Sequence, residues 1–469
     1  MTAAFLAIWM LAICAVAVFW PQRLLATAVI CSVFEGAAVV KGGGFGVAPY
    51  YFTLLLIAAR CVAIRTDAKH FLGSTPRVRA VMLCTLIFAC IAVAGAFILP
   101  HVFAGWTVLS TRLDSGYPAP LQFSASNLGQ SIYLLLNTAL LWYVTQQPNG
   151  EKLAEDAVKA VFIAGGLVIV FGLYQFVAAF TGLPFPDDIL YSNDSYLMQY
   201  GSNILDMPRI CSTYTEPAGM AVFLLGLTAF LTSESVGVVK PIWRWLLLIG
   251  SVAVLVLCTS STAYIGLAVI GIWRIGTYIV KPIFKGTPNP RLIAIVILLL
   301  GVVGATIASS DALRSVIQKM VFEKDDSSSY SERSEADSFS SQLAVSTMGL
   351  GVGLGSNRAS SFFNSLLSTV GVLGCGVFAT AVVLLVCSSG GGGIASGSHG
   401  ALAAGLLGVI GAKVMTSPDV ATPCMWAMMA ALLAAHAAGE AKQKPMTASV
   451  PRPASARESF AGLSARRAF

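Results

Sequence analysis

The stretch from Ala3 to Trp20 carries no charged residue, and runs of the same kind, separated by short polar or basic intervals, recur as far as His436. A transmembrane helix needs about 20 mostly apolar residues. The pattern predicts helices at 3–20, 24–40, 47–64, 80–99, 128–145, 158–180, 217–233, 244–259, 262–280, 292–308, 361–387, 400–416 and 422–438. The chain therefore reads as an all-α polytopic membrane protein of 12–14 spans, with residues 1–438 as one integral membrane domain. The first run has no basic region ahead of it and leads straight into further apolar segments. It is expected to be a membrane helix and not a cleaved signal. Two polar connections are long, 181–216 and 309–360, and a third, 100–127, is rich in proline, serine and glycine. Residues 439–469 are basic, small and proline-containing, which predicts a disordered tail.

Composition sharpens this reading. Hydrophobic residues make up 56% of the chain and charged residues 11%, and the mean hydropathy is +0.78. A soluble domain carries about 25% charged residues, so that class is excluded. The net charge of +7 needs no nucleic acid to explain it. The connections 60–79, 146–159, 234–244 and 274–291, with Arg23 and the tail, hold 20 of the 29 basic residues. If the helices alternate, all of these fall on one side, which is expected to be cytoplasmic. The opposite side keeps nine basic residues and 15 of the 22 acidic ones. No Cys-x-x-Cys pair occurs and the four histidines are scattered, so the sequence offers no zinc or haem pattern.

Candidate chemistry lies in the outward connections. Residues 209–217 read RICSTYTEP and lead into a predicted helix. Pro217 suits the first helical turn, and Glu216 stands where a carboxylate meets the positive end of the helix dipole. The simplest role for Glu216 is to cap that helix, with Arg209 as its ion-pair partner. Residues 330–337 read YSERSEAD, in which Arg333 lies among Glu332, Glu335 and Asp337. A solvated charge cluster accounts for that stretch equally well. The third segment is MGLGVGLGSNRASSFFNSLL at 348–367. It is no dinucleotide fingerprint, because Ser356 stands where a third glycine would follow Gly351 and Gly353, and no Gly-Lys pair marks a P-loop. Glycines four apart, Gly349 with Gly353 and Gly351 with Gly355, would give a helix a small-residue packing face. That leaves Arg358, a fixed cation at the lip of the next span. Arginine is permanently charged and offers a planar fork of donors that fits phosphate. Arg209, Arg333 and Arg358 together suggest an outward-facing anion site, with Glu216 or Glu332 as the local carboxylate. Glu35 and Lys413 are the main charges inside apolar runs, and each reads as an interfacial residue snorkelling to water.

In order along the chain, RICSTYTEP, LCTSSTAYIGLAVIGIW (257–273), SERSEADSFSSQLAVSTMGLGVGLGSNRASS and SLLSTVGVLGCGVF (365–378) resemble the O-antigen ligase/polymerase superfamily of bacterial membrane proteins. The resemblance covers about 180 residues. It implies a GT-C-type glycosyltransferase in the bacterial inner membrane, metal-independent and without cofactor, with its active site facing the periplasm. Its substrate would be an undecaprenyl-pyrophosphate-linked oligosaccharide, and a flippase and a chain-length regulator would be its partners. Arg209 and Arg333, with Arg358, would bind the pyrophosphate, and Glu216 or Glu332 would assist catalysis. The family's ligases carry a histidine and an asparagine just before the helix that here begins near Ser361. This chain has Ser360 and Ser361 there and no histidine within 309–360. The resemblance thus favours a Wzy-type polymerase over a ligase that transfers glycan to lipid A-core. A transporter of lipid-linked glycans and a structural partner in a secretion complex are the alternatives.

Overall fold

The computed structural model describes residues 2–42, 45–63, 75–109, 117–196, 198–199, 201, 203–204, 207–233, 238–280, 301, 315, 328–387 and 394–441. The predicted helix at 292–308 and most of the tail lie outside the described residues. The helices are α1 (Thr2–Phe19), α2 (Leu24–Cys31), α3 (Pro49–Ala63), α4 (Pro76–Val102), α5 (Ala125–Thr145), α6 (Gly150–Thr181) and the short α7 (Asp187–Leu190). They continue as α8 (Pro217–Leu231), α9 (Pro241–Leu257), α10 (Ser261–Ile275), α11 (Ser328–Ser346), α12 (Phe362–Val386), α13 (Ile394–Thr416) and α14 (Pro423–Ala441). Three antiparallel two-stranded ribbons join them: Val40–Gly42 (β1) with Phe45–Val47 (β2), Thr107–Leu109 (β3) with Pro118–Pro120 (β4), and Asn203–Ile204 (β5) with Met207–Pro208 (β6).

Proline sets many of the starts. It is the first residue of α3, α4, α8, α9 and α14, a position where its missing N–H costs nothing and its fixed φ already suits a helix. Thr75 caps α4 by accepting from the Val78 N–H at 3.4 Å. Ser124 and Asn127 form a capping box on α5. Gly182, in the left-handed region at φ 71°, closes α6 by donating to the Ala178 carbonyl.

Among the described residues, α4, α6, α12 and Ser398–Thr416 of α13 are long and apolar enough to cross a membrane. Ala4–Phe19 and Pro21–Cys31 reach that length only when taken together, and the pair is bent by 118° at the break between them. Parts of α3, α8, α9, α10 and α14 are apolar but shorter. The protein is thus a mostly helical, multi-pass membrane type. Several predicted boundaries change, and α6 already begins at Gly150, inside the connection expected at 146–159. The helix expected at 24–40 stops at Cys31, because residues beyond it turn to pair with the 181–216 connection. The Gly36 N–H donates to the Thr213 carbonyl, and the Asn193 N–H to the Gly36 carbonyl, at 3.2 and 3.0 Å. The connection 309–360 is also not all irregular, since α11 occupies 328–346.

The main core cluster runs through α2–α6, α8–α10 and α12–α14, and a small second cluster gathers Val108, Leu121, Leu343 and Val352. α13 packs most extensively on α8, where a methyl group on Gly408 would stand 3.0 Å from the Gly226 Cα, so small residues let the backbones approach. At one end of α8, Arg244 Nε donates to the Leu231 carbonyl and Arg274 to the Ala229 carbonyl, Thr232 and Ser233. Guanidinium groups there satisfy the last carbonyls and oppose the negative end of the dipole. Deeper in the bundle His399 and His436, Nε2 to Nε2 2.9 Å, share the Leu385 carbonyl and tie α12, α13 and α14 together.

Candidate functional site

The opposite end of α8, beginning at Glu216, lies where several elements terminate together. The segment from Arg209 to Glu216 is held by Gln175 of α6, whose Oε1 accepts from the Cys211 and Ser212 N–H groups at 2.8 Å each. Ser212 takes a positive φ of 55°, and its hydroxyl donates to the Val168 carbonyl at 2.7 Å. Thr213 reaches across to the Val33 carbonyl. The backbone is therefore fixed on both sides before it enters the helix.

Glu216 occupies the N-cap position but makes no side-chain capping bond, and neither of the two salt bridges among the described residues involves it or Arg209. The simpler alternative, in which Glu216 only caps α8 while pairing with Arg209, does not describe this geometry. Its carboxyl instead stands in a shared electrostatic neighbourhood. Burial raises its proton affinity above the ordinary carboxylate range, Arg333 and Arg358 oppose that rise, Asp419 adds to it, and Arg209 opposes it last and least. The three arginines singled out by the sequence thus act on one carboxylate, with Arg209 the most remote in effect. Arg209 lines an adjacent cleft of about 360 Å³ together with Gln175, Phe185, Asp187 and Asn203. Its Nε is buried without a protein hydrogen-bond partner, as is the Thr259 hydroxyl at the junction between α9 and α10.

Arg333 is carried by α11, half-buried, with Nη1 3.5 Å from the Thr416 hydroxyl at the end of α13. Glu332, its neighbour, is exposed on the same helix. Asp337 serves a different end: its Oδ1 accepts from the Ser360 and Ser361 N–H groups at 2.8 and 2.9 Å, capping α12.

Arg358 follows the glycine stretch, and here the expectation of a helical packing face is overturned. Residues 349–355 are not helical; Gly349, Gly351, Gly353 and Gly355 all have positive φ, 76°, 79°, 100° and 81°. Left-handed residues alternating with ordinary ones make an extended strap, and only glycine takes that conformation repeatedly at low cost. The strap lies against bare backbone: a methyl group on Gly353 would stand 2.7 Å from the Gly95 carbonyl oxygen, and one on Gly355 2.7 Å from that of Ser126. It also repairs a break in α12 at Gly371, where φ is 78° and ψ 179°. The carbonyls of Ser368 and Thr369 accept from Val352 and Gly353 N–H groups at 2.8 and 2.9 Å. Asn357 closes the strap. Its Oδ1 accepts from the Leu109 N–H, and its Nδ2 donates to Ser340 and Ser368. Exposed Arg358 is thereby presented at a small cavity of about 70 Å³, which also includes Gln130, Thr369 and Asp419.

Four residues of this region carry chemistry that the sequence reading left out or misread. Lys413 was expected to snorkel, yet it is wholly buried. Its ammonium donates to the Ser417 hydroxyl at 3.0 Å, to the Asp419 carbonyl at 2.9 Å and to the Thr422 hydroxyl, and it lies 5.0 Å from the Phe362 ring centroid. Glu35, likewise read as interfacial, is partly buried beside Glu216: a methyl group on Gly219 would stand 3.4 Å from Glu35 Oε2 and 3.7 Å from Glu216 Cγ. Burial pushes the Glu35 carboxyl up to about 8, with the charges of Asp419 and Glu216 adding to the rise and Lys413 opposing it. Asp419 sits in the turn between α13 and α14, and Tyr196 lies within the fields of Glu35, Asp419 and Arg358. An ionisable residue inside an apolar run was the available signal for Glu35 and Lys413. The arrangement mixes fixed cations with carboxylates, Arg358 and Asp419 lining one small cavity and Glu216 lying in the field of the arginines, which suits binding an anion beside groups that can take a proton. No protein-family model matches the chain, and neither does any curated protein.

Proposed function

We propose that this chain is a Wzy-type polymerase of the O-antigen ligase/polymerase superfamily, with a GT-C-type architecture. It transfers a growing glycan from undecaprenyl pyrophosphate to the next lipid-linked repeat unit at the periplasmic face of the bacterial inner membrane. The observation that carries the reading is the convergence of Arg209, Arg333 and Arg358, from three separate segments, on the surroundings of Glu216. The cluster stands at the mouth of a largely apolar helical body, where a ligand with an anionic head and a polyprenyl tail would lodge.

In this reading Arg333 and Arg358, with Arg209 at the adjoining cleft, hold the donor pyrophosphate. Negative charge grows on that group as its bond to the anomeric carbon breaks. Preplaced cations stabilise the charge more in the transition state than in the bound substrate, which lowers the barrier. Glu216, in the field of these arginines, or Glu332 on α11 is the carboxylate that assists the acceptor hydroxyl. A single displacement inverts the anomeric configuration. The absence of a histidine ahead of α12, where Ser360 and Ser361 are occupied in capping by Asp337, favours polymerisation over ligation.

The test is reconstitution of the purified full-length chain with lipid-linked repeat units. Products of increasing length support the polymerase. Transfer confined to lipid A-core would make it a ligase, and movement across the bilayer without new bonds would make it a transporter.

A further inference from the structure

The cleft of about 360 Å³ at Arg209 lies where the C-terminal end of α6, the segment around α7 and the β5–β6 ribbon meet. Its walls differ in kind. Ala178 of α6, with Leu183 and Phe185 beyond it, supplies an apolar side that includes an aromatic ring, while Asp187, Asn203 and Arg209 bring a carboxylate, an amide and a guanidinium. We propose that this cleft is a carbohydrate subsite that holds one sugar of the lipid-linked glycan, an inference resting on the substrate named above.

The chemistry of the walls selects the ligand. A pyranose ring carries C–H groups on its faces and hydroxyls around its rim, and each hydroxyl both donates and accepts. Among the side chains present, the carboxylate only accepts, the guanidinium only donates and the amide does both. An apolar pocket with a few placed polar groups is the usual form of a small-molecule site, and such sites begin at about 300 Å³. Asp187 would repel an anion bound alone, and an alkyl chain would leave the polar groups without partners. These groups have capacity to spare. Among the described residues no hydrogen bond engages the Asn203 amide, Asp187 uses only Oδ1, which accepts from the Asp188 N–H at 3.0 Å, and Arg209 Nε is buried without a protein partner.

The cleft is also built firmly. The Tyr174 hydroxyl donates to the Pro184 carbonyl at 2.5 Å, and the Phe185 ring packs against those of Tyr174 and Tyr191, with centroids 5.7 and 6.2 Å away. The Tyr191 hydroxyl donates to the Ser212 carbonyl at 2.9 Å and accepts from Gln175 Nε2 at 3.0 Å. That same Gln175 holds the Cys211 and Ser212 N–H groups. The wall bearing Phe185 is therefore tied to the stretch that bears Arg209 and leads to Glu216. From Arg209 to Glu216 the chain spans at most about 25 Å, so a glycan of a few sugars whose pyrophosphate lies at Arg333 and Arg358 reaches the cleft.

The experiment uses the full-length chain in proteoliposomes with two binding probes. One is the repeat-unit glycan released from its lipid, which has no leaving group and cannot react alone; the other is undecaprenyl pyrophosphate without sugar. The wild type should bind both. Asn203→Ala and Asp187→Asn should each weaken binding of the released glycan about fivefold or more, while affinity for undecaprenyl pyrophosphate stays within about twofold. Phe185→Leu, which keeps apolar bulk without a ring, should weaken glycan binding about threefold or more, and Phe185→Tyr should leave it within about twofold. In turnover, a higher KM of Asn203→Ala for the short repeat unit offered as acceptor places the acceptor's sugar in the cleft, and a higher KM for the long-chain donor places the donor's there. A wild type that does not bind the released glycan would overturn the subsite, as would variants that weaken both probes equally, which would mark these residues as structural. Unchanged glycan binding in the variants, beside a wild type that elongates glycans, would overturn the subsite and leave the polymerase reading intact. Glycan binding lost in the variants, beside a wild type that forms no glycosidic bond, would sink the polymerase reading and support the subsite.

Discussion

The Val372 N–H donates to the Gly349 carbonyl at 2.8 Å, joining the far side of the break in α12 to the first glycine of the strap. Within a membrane, backbone groups released by a helix break need partners from the protein. The strap supplies them on both sides of Gly371, so break and strap form one construction. It sets the height of Arg358 above the bundle.

Replacing a strap glycine should therefore cost more than left-handed strain alone. Gly355→Ala meets the Ser126 carbonyl and should lose about 2 kcal/mol or more in thermal unfolding in detergent. Gly105→Ala, with φ 82° but open space around it, should lose only about 1 kcal/mol. Equal losses would show that the strap does not lie closely on α5.

Arg333→Ala and Arg358→Ala should each lower turnover about 100-fold or more, as the loss of one preplaced donor does at other charged transition states. Lysine at either place should restore charge without the planar fork and recover only part of the rate. Arg209→Ala should lower turnover as well, since its buried Nε has no protein partner and the residue lines the adjoining cleft. Glycan length on gels, with initial rates, reads all three.

The share of stability that Glu35 contributes should fall as pH rises. The Glu35 proton affinity is raised from 4.5 to about 8 on folding, so between those values the folded chain holds a proton that the unfolded chain releases. The corresponding stabilisation is full below the lower value and lost as pH climbs through the upper one. The melting temperature of the wild type relative to Glu35→Gln should decline from pH 5 to pH 9. A rise over the same interval would contradict the burial of this carboxyl.

Asn357→Ala should destabilise the outer end by about 2 kcal/mol, since it strands the Leu109 N–H and removes the partner of two buried hydroxyls. Faster hydrogen exchange confined to β3, β4 and the strap would identify the region affected.

Much of the helical layout could be read directly. Apolar runs bounded by prolines located α3, α4, α8, α9 and α14, since proline there both permits a start and prevents an earlier one. Arg209, Glu216, Arg333 and Arg358 were also visible, because charges are scarce in such a chain. Hidden features depended on long-range contacts. Glycines with a period of two satisfied a helical spacing of four just as well, and only the bare backbone of α4, α5 and α12 decided between the two. Lys413 and Glu35 looked like boundary residues because hydropathy reports depth along a span, not which side faces the protein. Asp419 was a single carboxylate in a short turn, and its significance comes from Lys413 and Glu216 on other helices.

Lys413 also bears on how the chain enters its bilayer. The span that carries it has a mean hydropathy of 1.3, the lowest of the four long spans, and the largest buried share, 61%. A lone helix with an ammonium group near one end partitions weakly into lipid, and the groups that take up this ammonium, Ser417, Asp419 and Thr422, all follow Thr416 in the chain. Stable insertion of α13 therefore has to await the turn that follows it, and truncated chains ending just after Thr416 should hold α13 in the bilayer less well than chains ending after Thr422.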